Sequence, residues 1–222
     1  MKAAVFDLDG TLADTPSAIS ALLITVAAEA GRTVTEQQVR PTIGKPLEPS
    51  IGHLIGRPVD DPATVRAVAR YRQLFSQEVV SRGPAMLYPG VREGLVTLHE
   101  RGTLLAVGTS KITSSAEALL SAMGIRDLFG AVIGHDQVSH AKPHPETGLR
   151  AAAALGLDPT DCAYIGDTVT DMRMAHAAGM EAVAVSYGVA SPEELGALED
   201  TVVCEDFASV VRVLTASSVS LL

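Results

Sequence analysis

Two aspartates one residue apart are the residues of this chain whose types and spacing most clearly suggest chemistry. Asp7 and Asp9 follow the apolar segment Ala3–Phe6 and precede Gly10 and Thr11. An apolar segment of this length that ends beside a glycine is typical of a buried strand running into a turn. Two carboxylates this close repel each other unless a cation lies between them or one holds a proton. The pattern favours a divalent-metal site with Asp7 as nucleophile and Asp9 as acid and base, although two solvated aspartates would explain this segment alone equally well.

Three later segments repeat the pattern of an apolar stretch that ends in reactive side chains. They are 104–107 before Thr109 and Ser110, 131–133 before Lys142, and 162–165 before Asp167 and Asp171. Helix-like segments closed by glycine lie between them, and this alternation predicts a mostly parallel sheet with helices on both faces. Ligands of such sheets bind beyond the carboxyl ends of the strands. We therefore expect Asp7, Thr109 and Asp167 to meet at one site.

A pair of hydroxyl side chains, Thr109 and Ser110, follows one predicted strand and precedes a predicted helix. Hydroxyl and N–H groups at the N-terminus of a helix can bind an anion, and an ordinary helix cap is the alternative. Lys111 would lie on the first turn of that helix, where a lysine is usually in solvent. Near the first strand, Gly10 would let the backbone approach an anion closely, and Thr11 could offer a hydroxyl.

The third and fourth segments supply one cation and two further carboxylates. Lys142 lies in a loop that two prolines stiffen, and there its ammonium could neutralise Asp7 and the charge on a transferring group. A loop lysine in water is the alternative. Asp167 ends a strand and Asp171 lies one helical turn further on. Such oxygen ligands suit Mg²⁺, with Asp167 the better direct ligand and Asp171 holding a metal-bound water or Lys142.

The alternation of strand and helix is interrupted by a predicted all-helical insert after the first strand. Its first helix would begin with Thr15 as the N-cap before a proline. We expect residues 15–85 to form a cap domain, and residues 1–14 and 86–222 to form the core. Such a lid could exclude water and select the substrate, although a purely structural insert is the alternative. Lys45, in a Gly-Lys-Pro turn, is the insert cation that we expect to contact substrate.

Composition excludes several classes of protein. The 222 residues are 47% hydrophobic, which is enough for a sizeable core, and the net charge of −9 argues against a nucleic-acid surface. The sequence has neither a membrane-length apolar stretch nor a signal-like N-terminus, so we expect a cytoplasmic protein with no membrane partner. We interpret Cys162 and Cys204 as reduced core residues. His140 and His144 are four apart, but the proline between them argues against a zinc site.

Together these segments resemble the haloacid dehalogenase superfamily in its phosphatase branch, and phosphoglycolate phosphatases and similar small-molecule phosphatases in particular. The four matching motifs are Asp7-Leu8-Asp9-Gly10-Thr11, Thr109-Ser110, Lys142-Pro143 and Gly166-Asp167-Thr168-Val169-Thr170-Asp171. The resemblance implies an α/β fold with a Rossmann-like core and an inserted small helical cap. It also implies an aspartyl-phosphate intermediate and Mg²⁺ held by Asp7, Asp167 and the backbone carbonyl of Asp9.

The sequence thus predicts a magnesium-dependent phosphohydrolase of a small phosphorylated metabolite, as a monomer or homodimer. A β-phosphoglucomutase is the second candidate, but its cap usually carries an arginine near the position of Gly44 and Lys45. Asp9 argues against a true haloacid dehalogenase. Lys45 is followed by proline and is poorly placed for the Schiff base of a phosphonoacetaldehyde hydrolase. A non-catalytic phospho-receiver would lack both the helical insert and the Gly-Asp-x-x-x-Asp segment.

Overall fold

A six-stranded parallel sheet forms the centre of the protein. The computed structural model describes residues 1–216. The strands are β1 (Ala3–Phe6), β2 (Leu104–Gly108), β3 (Ala131–Ile133), β4 (Cys162–Gly166), β5 (Glu181–Val185) and β6 (Thr201–Cys204). Their order is β3-β2-β1-β4-β5-β6, and all neighbouring strands are parallel. The predicted α/β fold with a parallel sheet is confirmed.

Ten α-helices surround or extend this sheet within residues 1–216. They are α1 (Pro16–Glu29), α2 (Glu36–Val39), α3 (Leu47–Ile55), α4 (Pro62–Glu78), α5 (Val91–Glu100), α6 (Thr113–Ala122), α7 (Glu146–Ala154), α8 (Val169–Ala178), α9 (Pro192–Gly196) and α10 (Phe207–Ala216). None of them is long and apolar enough to cross a membrane. Cys162 and Cys204 are free and buried, as the sequence predicted.

The central strand β1 is buried along its whole length because both faces of the sheet are covered by helices. Successive side chains of a strand point to opposite faces. Ala4 and Phe6 accordingly join a cluster with residues of α5 and α10, whereas Ala3 and Val5 join one with residues of α7 and α8. Phe6 stacks on Phe207, with ring centroids 5.9 Å apart. The residue that follows, Asp7, is thus attached to one of the most tightly packed points of the fold.

Helices α1 to α4 lie in the chain between β1 and β2, followed by the 3₁₀ segment Val80–Met86. The chain leaves and re-enters the sheet layer at one place, because the Asp14 amide donates to the Met86 carbonyl and the Tyr88 amide donates to the Leu12 carbonyl. Ala13 and Leu87 also form an antiparallel bridge. The two connections therefore run side by side, directly beyond the strand that carries Asp7.

Replacing Phe6 by alanine tests how firmly this packing holds the end of β1. Phe6 is fully buried and contacts the rings of Phe207 and Phe129. We expect Phe6→Ala to lower the free energy of unfolding by about 3–5 kcal/mol, because the substitution leaves a cavity. Urea unfolding followed by circular dichroism measures the change. Leu149→Ala, at an exposed helix position, is the control and should change stability by less than about 0.5 kcal/mol.

Candidate active site

The buried ammonium of Lys142 lies at the centre of the candidate site. Its Nζ is 2.8 Å from Oδ1 of Asp7, 2.8 Å from Oδ1 of Asp171 and 2.6 Å from the hydroxyl oxygen of Tyr164. The Tyr164 hydroxyl in turn donates to the carbonyl of Gly108, so its oxygen is free to accept from Lys142. The loop lysine is therefore not in water, and side chains from the end of β1, the middle of β4 and the start of α8 meet around it.

Asp167 lies beside this group and is held on both oxygens. The Thr11 hydroxyl donates to Oδ1 at 3.0 Å, and the Val189 amide donates to Oδ2 at 2.8 Å. Gly10 makes this approach possible, because its φ is +86° and a Cβ there would lie 2.1 Å from Oδ2 of Asp167. Gly188 is equally close, since its Cβ would lie 2.4 Å from the same oxygen. The backbone can therefore approach the Asp167 carboxylate this closely only because both residues are glycines and lack a Cβ.

Asp7, Asp167 and Asp171 form a buried cluster of carboxylates. With all three ionised, its negative charge exceeds the single positive charge of Lys142. One oxygen of each carboxylate lies within 4.8 Å of the others. Burial, the larger effect, and the nearby charge of Asp171 together raise the pKa of Asp7 to about 7, against the attraction of Lys142. Burial and the charges of Asp171 and Asp7 also raise the pKa of Asp167 well above its usual range. Asp7 and Asp167 therefore need a further cation nearby to be ionised together at neutral pH.

Lys142 stays charged in this setting. Burial alone would lower the pKa of its ammonium, but the carboxylates of Asp171 and Asp7 raise it well above its ordinary value. Asp171 is fixed in turn by the start of α8, because its Oδ2 accepts from the amide and hydroxyl of Thr168 in a capping box. Both oxygens of Asp171 thus have protein partners, and one of those partners is Lys142.

Asp9 faces a different set of partners from Asp7. Its Oδ1 accepts from the Thr15 hydroxyl at 2.6 Å, and its Oδ2 is 2.9 Å from Nζ of Lys111. Thr15 is the N-cap residue of α1 before a proline, as predicted, but its side chain makes no capping bond and donates to Asp9 instead. The expectation for Lys111 was wrong. Lys111 is not in solvent, since its side chain is only 12% exposed.

Thr109 and Ser110 lie where β2 ends, but they do not cap a helix. Helix α6 starts at Thr113, and Ile112 occupies the cap position without a side-chain bond. The Thr109 oxygen accepts from the Lys111 amide at 3.2 Å, and the Thr109 side chain is buried. The helix-cap alternative for this pair is therefore wrong. Both residues line the same cavity as the two aspartates of β1.

That cavity has a volume of about 190 Å³ and lies between the end of the sheet and the helical segment. Sheet-side residues at its wall include Asp7, Asp9 and Thr109, and residues of the helical segment include Lys45 and Phe75. Lys45 is exposed, and its side chain makes no ion pair or hydrogen bond with the residues described. The structure thus puts an unpaired cation across the cavity from the carboxylates.

Sequence reasoning missed Tyr164 and the contact of Thr15 with Asp9, and it misjudged Lys111. Tyr164 lies inside an apolar strand, so nothing in the pattern distinguished its hydroxyl from an ordinary core tyrosine. Outside the site, His140 and His144 come closer than expected, with ring centroids 4.4 Å apart, beside Glu146. The Glu146 carboxylate there already accepts from the amides of Ser139 and His140.

Comparison with known proteins shows which family this chain belongs to. Residues 4–185 match the family model for haloacid dehalogenase-like hydrolases. The chain is 43% identical to the probable phosphatase IndB of Dickeya dadantii over 93% of this chain and 90% of the relative. It is 31% identical to a phosphoglycolate phosphatase of Salmonella paratyphi A, over 96% and 92%. The crystal structure of a predicted phosphoglycolate phosphatase from Haemophilus somnus superposes with a TM-score of 0.83 at 24% identity, covering 96% and 98%.

The parallel sheet, the cluster of carboxylates at its edge and the buried lysine together indicate the class of the protein, an α/β hydrolytic enzyme. The chain belongs to the haloacid dehalogenase-like hydrolases. Its relatives make it a phosphatase, as the sequence motifs predicted. The solved structure, at its lower identity, supports the fold.

Exchange of Asp7 for asparagine tests the electrostatics of the carboxylate cluster. A carboxyl group whose pKa is raised in the folded state lowers stability as the pH rises from its unfolded pKa, near 4, through its folded pKa. For Asp7 that window ends at about pH 7. In chelator, we therefore expect Asp7→Asn to unfold at a higher temperature than the wild type at pH 8, and we expect the difference to be smaller at pH 5, near the start of that window.

Thermal unfolding at both pH values, with EDTA present, measures this difference. Asp161→Asn is the control, because Asp161 is a surface carboxylate paired with Lys2. A wild type that is more stable than Asp7→Asn at pH 8 in chelator would contradict the charge excess described here.

Proposed function

We propose that this phosphatase hydrolyses a small phosphorylated metabolite, with Mg²⁺, through an aspartyl-phosphate on Asp7. The observation that carries the proposal is the 2.8 Å contact of Lys142 with Asp7, a residue that lines the cavity. A charged lysine beside a carboxylate holds it in a fixed position and is itself placed to bind phosphoryl oxygens. Thr109, on the neighbouring strand end, offers its hydroxyl to the same group.

In this proposal the reaction consists of two successive displacements at phosphorus, carried out by Asp7 and Asp9. In the first, an oxygen of Asp7 forms a bond to phosphorus while the bond to the leaving oxygen breaks, and Asp9 donates a proton to that oxygen. In the second, Asp9 takes a proton from water as the water oxygen attacks phosphorus. The bond from phosphorus to Asp7 then breaks, which releases inorganic phosphate. Asp7 and Asp9 return to their starting states.

The carboxylate cluster fits a hard divalent cation. Three buried carboxylates with oxygens within 4.8 Å of one another face one ammonium, and burial raises the pKa values of Asp7 and Asp167. We propose that Asp7, Asp167 and the backbone carbonyl of Asp9 hold Mg²⁺. Asp171, engaged by Lys142 and Thr168, takes an outer position. Bound Mg²⁺ would neutralise charge on the phosphoryl oxygens and orient them.

We propose that the helical segment, residues 15–85, is the cap of this site and that Lys45 and Ser110, which line the cavity, contact the substrate. Gly10 and Thr11, expected from the sequence to meet the substrate, lie against Asp167 instead. Lys45, Phe75 and Thr42 reach the cavity from this segment. A lid that excludes water strengthens the electrostatic interactions inside the site. Phosphoglycolate is the first substrate to test, since the Salmonella relative is a phosphoglycolate phosphatase.

Phosphate release from a panel of phosphorylated metabolites tests the proposal. The panel contains phosphoglycolate, pyrophosphate and β-glucose 1-phosphate, each with Mg²⁺ and with EDTA. We expect Mg²⁺-dependent release from at least one compound, and we expect Asp7→Asn to abolish it, because the variant lacks the nucleophile. Asp161→Asn is the matched control and should retain full activity. Conversion of β-glucose 1-phosphate to its 6-isomer without phosphate release would contradict a hydrolase.

Lys45→Met tests the role of the unpaired cation. If the Lys45 ammonium binds a second anionic group of the substrate, its loss should raise KM about tenfold for a phosphomonoester that carries a carboxylate. The KM for a phosphomonoester with an uncharged leaving group should change little. Steady-state kinetics on such a pair of substrates measure the difference. Equal changes for both substrates would show that Lys45 does not recognise that group.

A further inference from the structure

Lys111 connects the proposed proton-transfer group to the helical segment. Its Nζ is 2.9 Å from Oδ2 of Asp9, and both side chains are nearly buried, at 12% and 9% exposure. The same Nζ lies 4.0 Å from the centroid of the Phe75 ring in α4. Phe75 is itself buried and stacks on Tyr71. The ammonium is therefore enclosed between a carboxylate of the sheet edge and an aromatic ring of the helical segment.

Each oxygen of Asp9 has one of these partners. Thr15, where the chain enters the helical segment, donates to Oδ1, and Lys111 contacts Oδ2. No such pair holds Asp7, whose partner is Lys142. The two carboxylates that follow β1 thus contact separate cations, Lys142 for Asp7 and Lys111 for Asp9.

We propose that Lys111 is a positioning residue for the two proton transfers of Asp9, and that its contact with Phe75 makes this positioning depend on the placement of the helical segment. The inference rests on the proposed function. Without Lys111, a nearly buried carboxylate would lose its ion-pair partner and keep only Thr15, so its orientation would no longer be fixed. The loss should fall on proton transfer, because the contacts of Asp7 and Lys142 do not involve Lys111.

Proton transfer can be separated from the other steps by the choice of leaving group. An alkoxide needs a proton as it leaves, whereas p-nitrophenolate is a stable anion and leaves without one. Hydrolysis of the aspartyl-phosphate needs Asp9 as base whichever group has left. A defect in proton transfer should therefore spare the first displacement with p-nitrophenyl phosphate but slow the second.

The experiment compares Lys111→Met with wild type on p-nitrophenyl phosphate and on the best alkyl phosphate of the panel. Methionine keeps the length of the aliphatic stem and removes the charge. For Lys111→Met we expect kcat on the alkyl phosphate to fall about 100-fold, with KM changed little. With p-nitrophenyl phosphate we expect a burst of p-nitrophenolate equal to the enzyme concentration, followed by slow turnover. Lys111→Arg should restore most of the activity, and Phe75→Leu should show a weaker form of the same defect.

Lys2→Met is the matched control, because it removes a lysine that contacts an aspartate at the same distance, 2.9 Å, far from the site. Its kinetics should equal those of wild type, and its thermal unfolding provides a reference for loss of an ion pair. Three results would overturn the inference: unchanged kinetics in Lys111→Met, an equal fall on both substrates without a burst, or a raised KM at unchanged kcat. The last would make Lys111 a substrate-binding residue. Failure of the proposed function would give a different result, because the wild-type protein would then release phosphate from none of the compounds tested.

Discussion

The buried ion pair between Lys142 and Asp7 is the interaction on which the rest of the site depends. Two charges removed from water are costly unless each is well paired, and here the lysine meets two carboxylates and a tyrosine hydroxyl within 2.8 Å. The arrangement exists because β1 and β4 are neighbouring parallel strands that end at the same edge of the sheet, and α8 begins there, just after β4. Packing of Phe6 and of the other buried strand residues supplies the stability that an unfavourable charge cluster requires.

Much of this site could be predicted because the carboxyl ends of parallel strands lie at the same edge of the sheet. Asp7, Thr109 and Asp167 each follow an apolar stretch, so their convergence followed from the topology. Tyr164 could not be found this way, because its role depends on the distance across two strands to Gly108 and on the path of the Lys142 loop. Lys111 was misjudged, and the contact of Thr15 with Asp9 was missed, for a related reason. Each was judged from the predicted helix beside it, whereas its partner, Asp9, belongs to another element.

Two aspartates one residue apart in the sequence thus acquire different surroundings. Asp7 lies among buried carboxylates and one ammonium, and burial raises its pKa to about 7. Asp9 lies among a hydroxyl, a second ammonium and the residues of the helical segment. A fold that separates the environments of paired carboxyl groups allows one to act as nucleophile and the other to exchange protons.

The side-by-side connections at Asp14 and Met86 have a consequence for how such proteins diversify. Because the insert departs and returns at adjacent backbone positions, its length and shape impose no strain on the strand register, and loop-closure entropy grows only slowly with length. The helices between these two points can therefore be exchanged, shortened or enlarged over generations while the acidic edge keeps its geometry. Thr15 and Phe75 are the exceptions, because they contact Asp9 and Lys111 and so must keep their places while the rest of the insert changes.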